Sequence, residues 1–145
     1  MYSVKKAHTP QEIEAIIDLR CKILRDPWQQ PRDTATDANE AQSVNAYIAN
    51  ERGQAIACGR LQENEGKTGQ IRFMAVDNSY QGQGLGRLIL NFLEQEARTM
   101  GLHTVELQAR ENAVEFYKSN GYTIKEKSFL LWGIIQHYLM TKTLK

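Results

Sequence analysis

A glycine-rich segment carries the strongest chemical signal in this sequence. It reads Gln81-Gly82-Gln83-Gly84-Leu85-Gly86 and precedes a long amphipathic run. Glycines lack the Cβ atoms that block close approach of a ligand, so backbone N–H groups can converge on one point. A helix start adds unpaired N–H groups and the positive end of the helix dipole. The pattern is typical of a site for phosphate oxygens; a tight turn that needs glycine only for its own backbone is the alternative.

Two common phosphate-binding loops do not fit this segment. A P-loop ends in Gly-Lys-Ser/Thr, which this segment does not have. A Rossmann loop needs Gly-x-Gly-x-x-Gly and an acidic residue about 20 residues later. Here the glycines are spaced differently, and the acid at about that distance is Glu106, inside the next predicted strand. An unrelated nucleotide-binding domain that rests on the loop alone is therefore the weakest interpretation.

The glycine segment is positioned by a strand before it and a helix after it. Residues 71–76 are apolar except for Arg72, which predicts a strand, and residues 77–80 are turn formers. From Leu85 the apolar residues recur at helical spacing until Gly101, where a helix is expected to end.

The remaining elements follow from the same signals. Thr9-Pro10-Gln11-Glu12 is a capping box that opens a helix to about Arg25, and a short helix is predicted over residues 113–120. Residues 26–39 predict an irregular loop, with a helical turn near 37–42. Further strands are predicted over residues 2–7, 44–49, 54–61, 103–107, 122–129 and 136–141. About seven strands and three or four helices, mixed in order, predict an α+β fold.

Length and charge restrict the class of protein. The chain has 145 residues, which predicts a single domain over residues 1–145. Its 18 Lys and Arg residues against 17 Asp and Glu residues favour neither a nucleic acid nor a membrane surface as a partner. No apolar leader or membrane-spanning run is present, so we expect a cytoplasmic location. Cys21 and Cys58 have no motif spacing and are expected to be reduced, packed thiols, and no metal site is expected.

The chain resembles the GNAT superfamily of N-acetyltransferases. Residues 81–86 are similar to its Gln/Arg-x-x-Gly-x-Gly/Ala signature, and residues 115–122 are similar to its Phe-Tyr-x-x-x-Gly-Phe/Tyr segment. Gly133-Ile134, His137 and Met140 resemble the Gly-Ile-Pro-His-x-x-Met ending of some small bacterial members. The resemblance is strong from about Ile71 to Met140 and weaker before Gly53. It implies the GNAT fold, with a mixed central sheet of about seven strands and helices on both faces.

The resemblance also implies acetyl-CoA as the acyl donor. The glycine segment would hold its pyrophosphate. The end of the fourth strand would pair with the pantetheine arm, and an N–H near Val76 would polarise the thioester carbonyl. Many family members carry an Asn where this chain has Arg110, and Asn112 lies two residues later, so the side chain that meets CoA is left open. The further residues assigned to CoA are Met74, Ala75, Arg87 and Phe116. Of these, Arg87 is equally interpreted as a solvated side chain.

The proton-transfer residues are expected near the same strand ends. Tyr117 is the predicted donor to the leaving thiolate, with a core tyrosine as the alternative. The fourth strand of the family often carries a glutamate as general base, but here Gln70, Arg72 and Met74 are expected on that face. Glu106 and His137 are the substitutes, acting directly or through water, although His137 is equally interpreted as a hydrogen-bonded core histidine.

Three residues are predicted to face the acceptor. Trp28 lies in the irregular loop and is either a wall of the acceptor pocket or a plug of the core beneath it. Arg20 lies on the buried stripe of the first helix and either extends to the surface or reaches a ligand. Arg72, like Arg60 in the neighbouring strand, needs an anionic partner. This partner is either an acid of the chain itself, with Glu106, Asp33 and Asp37 as candidates, or a carboxylate or phosphate of the substrate.

The sequence therefore predicts an acetyl-CoA-dependent N-acetyltransferase that acts on a primary amine by direct attack in a ternary complex. Neither cysteine has a nucleophile's setting, which argues against an acyl-enzyme. A non-catalytic acyl-CoA-binding or regulatory module on the same fold is the alternative, because the strand-four carboxylate is missing. The expected partner is a small-molecule amine, and a homodimer is left open.

Overall fold

The computed structural model describes residues 2–145 and contains one seven-stranded sheet. Its strands run in the order β1-β2-β3-β4-β5-β7-β6. Three α-helices, α1 (Pro10–Leu24), α2 (Leu85–Thr99) and α3 (Val114–Ser119), connect or cover them. The strands are β1 (Lys5–Lys6), β2 (Val44–Ala49), β3 (Ala55–Asn64), β4 (Thr68–Val76), β5 (Thr104–Arg110), β6 (Thr123–Leu131) and β7 (Ile135–Thr143).

Only one pair of neighbouring strands is parallel within the described chain. β4 and β5 run in the same direction, and every other neighbouring pair is antiparallel. A parallel pair needs a crossover long enough to return the chain to the same end of the sheet, and α2 supplies it. The mixed seven-stranded sheet predicted from the sequence is confirmed.

Helices cover both faces of the sheet. Along β2, Ala46 and Ile48 join the core beneath α2, whereas Tyr47 between them packs with α1 residues on the other side. This alternation is the period of two that a strand imposes on its side chains. We call these the α2 face and the α1 face; α3 contributes Val114 and Tyr117 to the core of the α2 face.

The start of α1 is fixed to the sheet by a capping box. Thr9 Oγ1 accepts a hydrogen bond from the Glu12 backbone N–H, and the Glu12 carboxylate accepts from the Thr9 N–H. Tyr47 donates its hydroxyl to the same carboxylate at 2.6 Å. These hydrogen bonds satisfy free N–H groups of the first turn and orient α1 across β2.

Some elements differ from the sequence prediction in extent. β1 covers only Lys5–Lys6, while β3 extends to Asn64 and β5 to Arg110. The loop after α1 is built from three short 3₁₀ turns, Asp26–Trp28, Arg32–Ala35 and Glu40–Gln42. Cys21 and Cys58 are buried, free thiols. No helix among residues 2–145 has the length and apolar character that crossing a membrane requires.

Candidate active site

The fourth and fifth strands separate halfway along their length. They pair in register over four residues only, 68–71 of β4 with 104–107 of β5. Beyond that point, residues 72–76 and 108–110 have no pairing with each other. A gap therefore opens toward the carboxyl ends of the two strands. Unpaired strand edges of this kind can accept an extended ligand as an additional strand.

A β-bulge lies at the point where the strands separate. Phe73 and Met74 both lie opposite Gly59 of β3, and Phe73 has a φ of +56°. Such a bulge changes the alternation of side chains along the strand. Arg72 extends over the α1 face, whereas Met74 packs into the core beneath α2, in space that Gly59 leaves for its sulfur. The prediction that Met74 shares a face with Gln70 and Arg72 is therefore wrong.

The last residue of β4 points its amide into the gap. The Asp77 N–H donates to the Ile56 carbonyl of the neighbouring segment, and Val76 is paired with Ala57. Because N–H groups alternate in direction along an antiparallel strand, the Val76 N–H points away from β3 and toward β5. No β5 residue pairs with Val76, so this donor is free for a ligand within the described chain.

The glycine segment follows directly and leads into α2. Gly82 and Gly84 both have a φ of +78°, and a Cβ added to either would meet nothing within 4 Å. No side chain caps α2, and its first internal hydrogen bond runs from the Leu88 N–H to the Gly84 carbonyl. The N–H groups of residues 85–87 consequently have no partner inside the helix. This end of α2 offers several donors, a positive dipole and open space, which suits phosphate oxygens.

Gly86 is needed for packing rather than for a left-handed backbone. A Cβ at this position would lie 3.1 Å from the Phe116 ring and 3.7 Å from Val76 Cγ2. The absence of a side chain lets Phe116 of α3 rest against the first turn of α2. The glycine segment, the end of β4 and α3 are thereby brought together, as the sequence predicted for the donor site.

Tyr117 is buried within this assembly, but its hydroxyl has no protein partner among residues 2–145. Its ring makes edge contacts with Phe116 at 5.1 Å and Tyr122 at 5.8 Å between centroids. Among residues 2–145, two side-chain nitrogen or oxygen atoms are fully enclosed and without a hydrogen-bond partner, Nε of Arg20 and Nε of Arg60. The Tyr117 hydroxyl is not one of them, so it reaches accessible space. Burial raises the pKa of Tyr117 well above its usual value near 10, and the phenol keeps its proton at neutral pH.

Two arginines on the α1 face are occupied by internal acids. Arg20 is fully buried and donates to Glu40, to Asn45 Oδ1 and to the Ala35 carbonyl. Arg60 is also fully buried and donates to both oxygens of Asp37. The prediction that Arg20 extends to the surface is wrong, because Glu40 and Asn45 satisfy its guanidinium inside the protein. We therefore do not assign Arg20 to the substrate.

Four guanidinium groups surround the ring of Phe73 at the bulge. Their Cζ atoms lie between 4.4 and 5.8 Å from the ring centroid, a distance typical of cation–π contacts. Arg72 makes one bond to an acid, from Nη1 to Asp37 Oδ2 at 2.7 Å, and its side chain is 39% exposed. We call this set the arginine cluster; its members are Arg20, Arg25, Arg60 and Arg72.

A second group of side chains closes the open end of the gap on the α1 face. Arg110, the last residue of β5, lies over the Trp28 ring at 4.6 Å and near the Trp132 ring at 6.0 Å. Arg25 lies 5.3 Å from the same Trp132 ring. The two tryptophan centroids are 6.2 Å apart. Trp28 therefore lies at the open end of the gap, against Arg110 and Trp132, and does not belong to the core clusters.

Arg110 takes a different position from the one that the resemblance implied. It donates to the carbonyl of Leu24 at 3.1 Å, at the end of α1, and contacts the tryptophans of the α1 face. The glycine segment, in contrast, packs with α3 on the α2 face. The strand alternation that buries Ala109 on the α2 face directs Arg110 to the opposite one. The structure therefore places Arg110 on the α1 face, away from the glycine segment, and its contact with CoA stays a prediction.

Glu106 lies in the closed part of the sheet. It is in register with Gln70 of β4, before the strands separate, and its carboxylate lies 3.4 Å from Asn64 Nδ2. Six residues along the strand separate Gln70 from Val76, which corresponds to roughly 17 to 20 Å. The structure does not bring Glu106 to the free amide at the end of β4.

His137 lies nearer to the open end of the gap. It is paired with Arg110 across β5 and β7, is 5% exposed, and stacks on Phe129 at 4.4 Å. Its Nδ1 lies 3.0 Å from the Ile135 carbonyl, which can only accept, so Nδ1 carries the proton and Nε2 the lone pair. Burial, with a contribution from Arg110, lowers the pKa of His137 below its ordinary value. The imidazole is consequently neutral at physiological pH and able to accept a proton.

The other residues predicted to bind CoA take varied positions. Gln81 donates to the Val76 carbonyl at 3.3 Å and so ties the segment to the end of β4. Gln83 accepts from the Tyr2 hydroxyl at 2.7 Å. Leu85 and Ala75 are buried in the core, whereas Arg87 in the first turn of α2 and Asn112 in the turn before α3 are exposed.

The sequence did not indicate Phe73, Arg25 or Trp132 as site residues. The apolar pattern predicts Phe73 to be an ordinary strand residue, because a bulge has no signature in that pattern. Arg25 falls at the end of the first predicted helix, and Trp132 falls in the connection between the last two predicted strands. A second tryptophan close to the Gly133-Ile134 signature was the available signal for Trp132.

Comparison with known proteins agrees with this geometry. The sequence profile of the Acetyltransferase (GNAT) family matches residues 13–122. The uncharacterized N-acetyltransferase YjcF of Bacillus subtilis (strain 168) is 32% identical over 105 residues, 72% of this chain and 71% of that protein. An acyl-CoA N-acyltransferase from Pseudomonas aeruginosa has the same fold, with a TM-score of 0.84, 20% identity, and coverage of 98% of this chain and 99% of that chain.

A further solved structure has the same fold. An aminoglycoside 6'-N-acetyltransferase complexed with coenzyme A superposes with a TM-score of 0.80 and 16% identity, over 97% of this chain and 96% of that chain. The chain belongs to the acetyltransferase (GNAT) family, and by family it is an N-acetyltransferase.

Proposed function

We propose that this protein transfers the acetyl group of acetyl-CoA to a primary amine by direct attack within a ternary complex. The observation that carries the proposal is the gap between β4 and β5. Its mouth has the free amide of Val76 and, next to it, the unpartnered N–H groups of the α2 start. Helix α3, which packs against both through Phe116, carries Tyr117 with its accessible hydroxyl. These are donors for a carbonyl oxygen, for phosphate oxygens and for a leaving thiolate.

The donor would bind along one wall of the gap. The N–H groups around Gly84 would hold the pyrophosphate, since the two left-handed glycines leave the loop surface open. The pantetheine arm would lie beside β4 as an added strand, with the Val76 N–H directed at the thioester carbonyl oxygen. That hydrogen bond strengthens as negative charge develops on the oxygen during attack.

The amine would approach from the α1 face through the gap. Its nitrogen attacks the carbonyl carbon to form the C–N bond, and the proton it loses would pass to His137 Nε2, directly or through water. The C–S bond then breaks, the sulfur keeps the electron pair, and the Tyr117 hydroxyl would supply its proton. Because β4 carries Arg72 and not an acidic base at the bulge, we assign the proton acceptor to His137, which is paired with Arg110 at the open end of the gap.

An acyl-enzyme route is disfavoured by the state of the thiols. Burial raises the pKa of Cys58 to about 11, and burial also raises the pKa of Cys21. Attack on a thioester requires a thiolate, so neither residue is a competent nucleophile at neutral pH. Direct attack by the amine avoids this requirement.

A member of the family that binds acyl-CoA without catalysing transfer is the second candidate. The observation that favours it is that β4 carries Arg72, and not a carboxylate, at the bulge. An acetyl-transfer assay separates the two. Purified protein is mixed with acetyl-CoA and a panel of primary amines, thiol release is followed continuously, and the N-acetyl product is identified by mass spectrometry. Acetylated amine supports the enzyme. Saturable CoA binding without any product, across amines of anionic, neutral and cationic character, supports the binding module.

A further inference from the structure

The charges on the α1 face do not balance. Five guanidinium groups lie around the gap, those of the arginine cluster and that of Arg110. The acids that bond to them are Asp37 and Glu40, and these are taken up by Arg20, Arg60 and Arg72. Within residues 2–145, neither Arg25 nor Arg110 forms an ion pair. Two cations at the acceptor side are thus without an anion.

The bonds that these two arginines do make are to neutral groups. Arg25 donates from Nε to Thr34 Oγ1, from Nη1 to the Leu24 carbonyl and from Nη2 to the Thr34 carbonyl, at 2.8 to 2.9 Å. Arg110 donates from Nη2 to that same Leu24 carbonyl. A guanidinium has five N–H donors, so most of those on Arg110 are unused. Because both groups bond to one carbonyl oxygen, they lie side by side.

Holding two like charges together in a half-buried position is costly. Arg25 is only 8% exposed. Burial, together with the neighbouring Arg25 charge, lowers the pKa of Arg110 to about 10. Contacts with the two tryptophan rings offset part of this cost and hold the guanidinium planes in place. An anion between the two groups would remove the repulsion and use the free donors, with a geometry that suits a carboxylate or phosphate.

We infer that Arg25 and Arg110 bind an anionic group on the acceptor, so that the substrate is a small amine that also carries a carboxylate, sulfonate or phosphate. This inference rests on the proposed acetyl transfer and names its substrate class. Arg72 lies close enough to add a third positive charge, since it shares the Phe73 ring with Arg25. Trp28 and Trp132 form the apolar walls that exclude water from the pair.

The site contains its own spectroscopic probe. The chain has two tryptophans, and both contact Arg110. With CoA held at saturation so that its own phosphates are already bound, intrinsic fluorescence is titrated with β-alanine and O-phosphoethanolamine. The matched neutral amines are β-alaninamide and ethanolamine, and putrescine is the cationic one. At least one anionic amine is expected to bind at least tenfold more tightly than its neutral partner, because charge-assisted bonds replace contacts with water.

Variants test the two residues. Arg25→Gln and Arg110→Gln are expected to abolish the preference for the anionic amine, and Arg110→Lys to reduce it because the bidentate fork is lost. Arg52→Gln removes the same positive charge from an exposed residue of the β2–β3 turn and should leave the preference for the anionic amine intact. Circular dichroism and CoA titration establish that each variant is folded. No saturable response to either anionic amine, equal binding of neutral partners, or a preference unchanged in both Gln variants would overturn the inference.

Three further outcomes separate this inference from the proposed function. If Arg110→Gln weakens CoA while the anionic preference stays, Arg110 serves the donor and the inference is wrong. If anionic amines bind but no amine is acetylated, the anion site stands and the proposed catalysis fails. If ethanolamine and putrescine are acetylated as efficiently as the anionic amines, the proposed catalysis stands and the anion site fails.

Discussion

Arg60 and Asp37 form a two-pronged ion pair, with Nη1–Oδ1 and Nη2–Oδ2 distances of 2.9 Å each. The Arg60 side chain is fully buried in β3, while Asp37 belongs to the irregular loop after α1. The same carboxylate accepts from Arg72 at 2.7 Å. One loop carboxylate therefore pairs with two strand arginines and holds the loop over the α1 face.

Replacement of Asp37 by Asn should destabilise the protein strongly. The change removes the two-pronged partner of the buried Arg60 guanidinium and leaves it only the more distant Glu40 carboxylate at 3.6 Å. We expect a loss of about 2 to 4 kcal/mol in the free energy of unfolding, below the fully buried limit because Asp37 is 29% exposed. Urea unfolding followed by circular dichroism measures it. Asp33→Asn, an exposed acid of the same loop, is the control and should change stability by less than about 0.5 kcal/mol.

The same pair gives stability a defined dependence on pH. The hydrogen bonds from Arg60 hold the pKa of Asp37 below its ordinary value. A carboxyl with a depressed folded-state pKa contributes its stability in full at neutral pH, and the contribution is lost as pH falls below about 4. The difference in unfolding free energy between wild type and Asp37→Asn should therefore narrow on acidification. A constant difference down to pH 2 would contradict this account.

The order of strands and helices could be predicted because each element has a local signal. The capping box at Thr9 marks the start of α1, and the apolar repeat after Leu85 marks α2. Asp37 could be named only as one of three candidate internal partners, together with Glu106 and Asp33.

The acceptor side could not be predicted in the same way. Arg110 and Trp28 are 82 residues apart in the sequence and meet only because β5 ends beside the loop after α1. The bulge at Phe73 places Met74 on the face opposite to Arg72, and no local pattern in the sequence predicts it. Contacts of this kind depend on the register of whole strands, which single-residue spacing does not determine.

Gly84→Gln should separate phosphate binding from backbone strain. Gly84 and Gly101 have φ values of +78° and +77°, and a Cβ at either meets nothing within 4 Å. Both substitutions therefore impose a similar left-handed strain, about 1 kcal/mol. Only the first places a side chain in the loop that would hold the pyrophosphate. We expect calorimetric CoA affinity to fall at least tenfold in Gly84→Gln and to persist in Gly101→Gln; equal affinities would place the pyrophosphate elsewhere.

Tyr117→Phe should reduce turnover without weakening acetyl-CoA binding. The hydroxyl has no protein partner in the described chain, so its removal costs little stability, and the ring contacts remain. The leaving thiolate loses its proton donor, and we expect kcat to fall roughly 10- to 1000-fold. Tyr122→Phe is the contrast. Its hydroxyl donates to the buried Glu94 at 2.8 Å, so this variant should lose stability and keep its turnover. The reverse pattern would make Tyr117 a packing residue.

His137 is expected to govern the acid limb of the pH–rate profile. Because burial lowers its pKa below the ordinary value, the neutral imidazole needed to accept a proton is present at pH 7 and is lost only as pH falls further. The substrate amine also gains activity as pH rises, so two acceptors whose amine pKa values differ are compared through kcat/KM. The limb that moves with the acceptor belongs to the amine, and the limb that stays in place belongs to the enzyme.

The His137→Gln variant assigns that fixed limb. It should abolish the limb and lower kcat/KM about 10- to 1000-fold at pH 7. His103→Gln removes an exposed imidazole just before β5 and should change neither. Gln136 already donates to the His137 carbonyl, and the Phe129 ring remains to pack against the new amide, so the end of β7 is expected to fold. A fixed limb that survives in a folded His137→Gln protein would show that another group, or water alone, receives the amine proton.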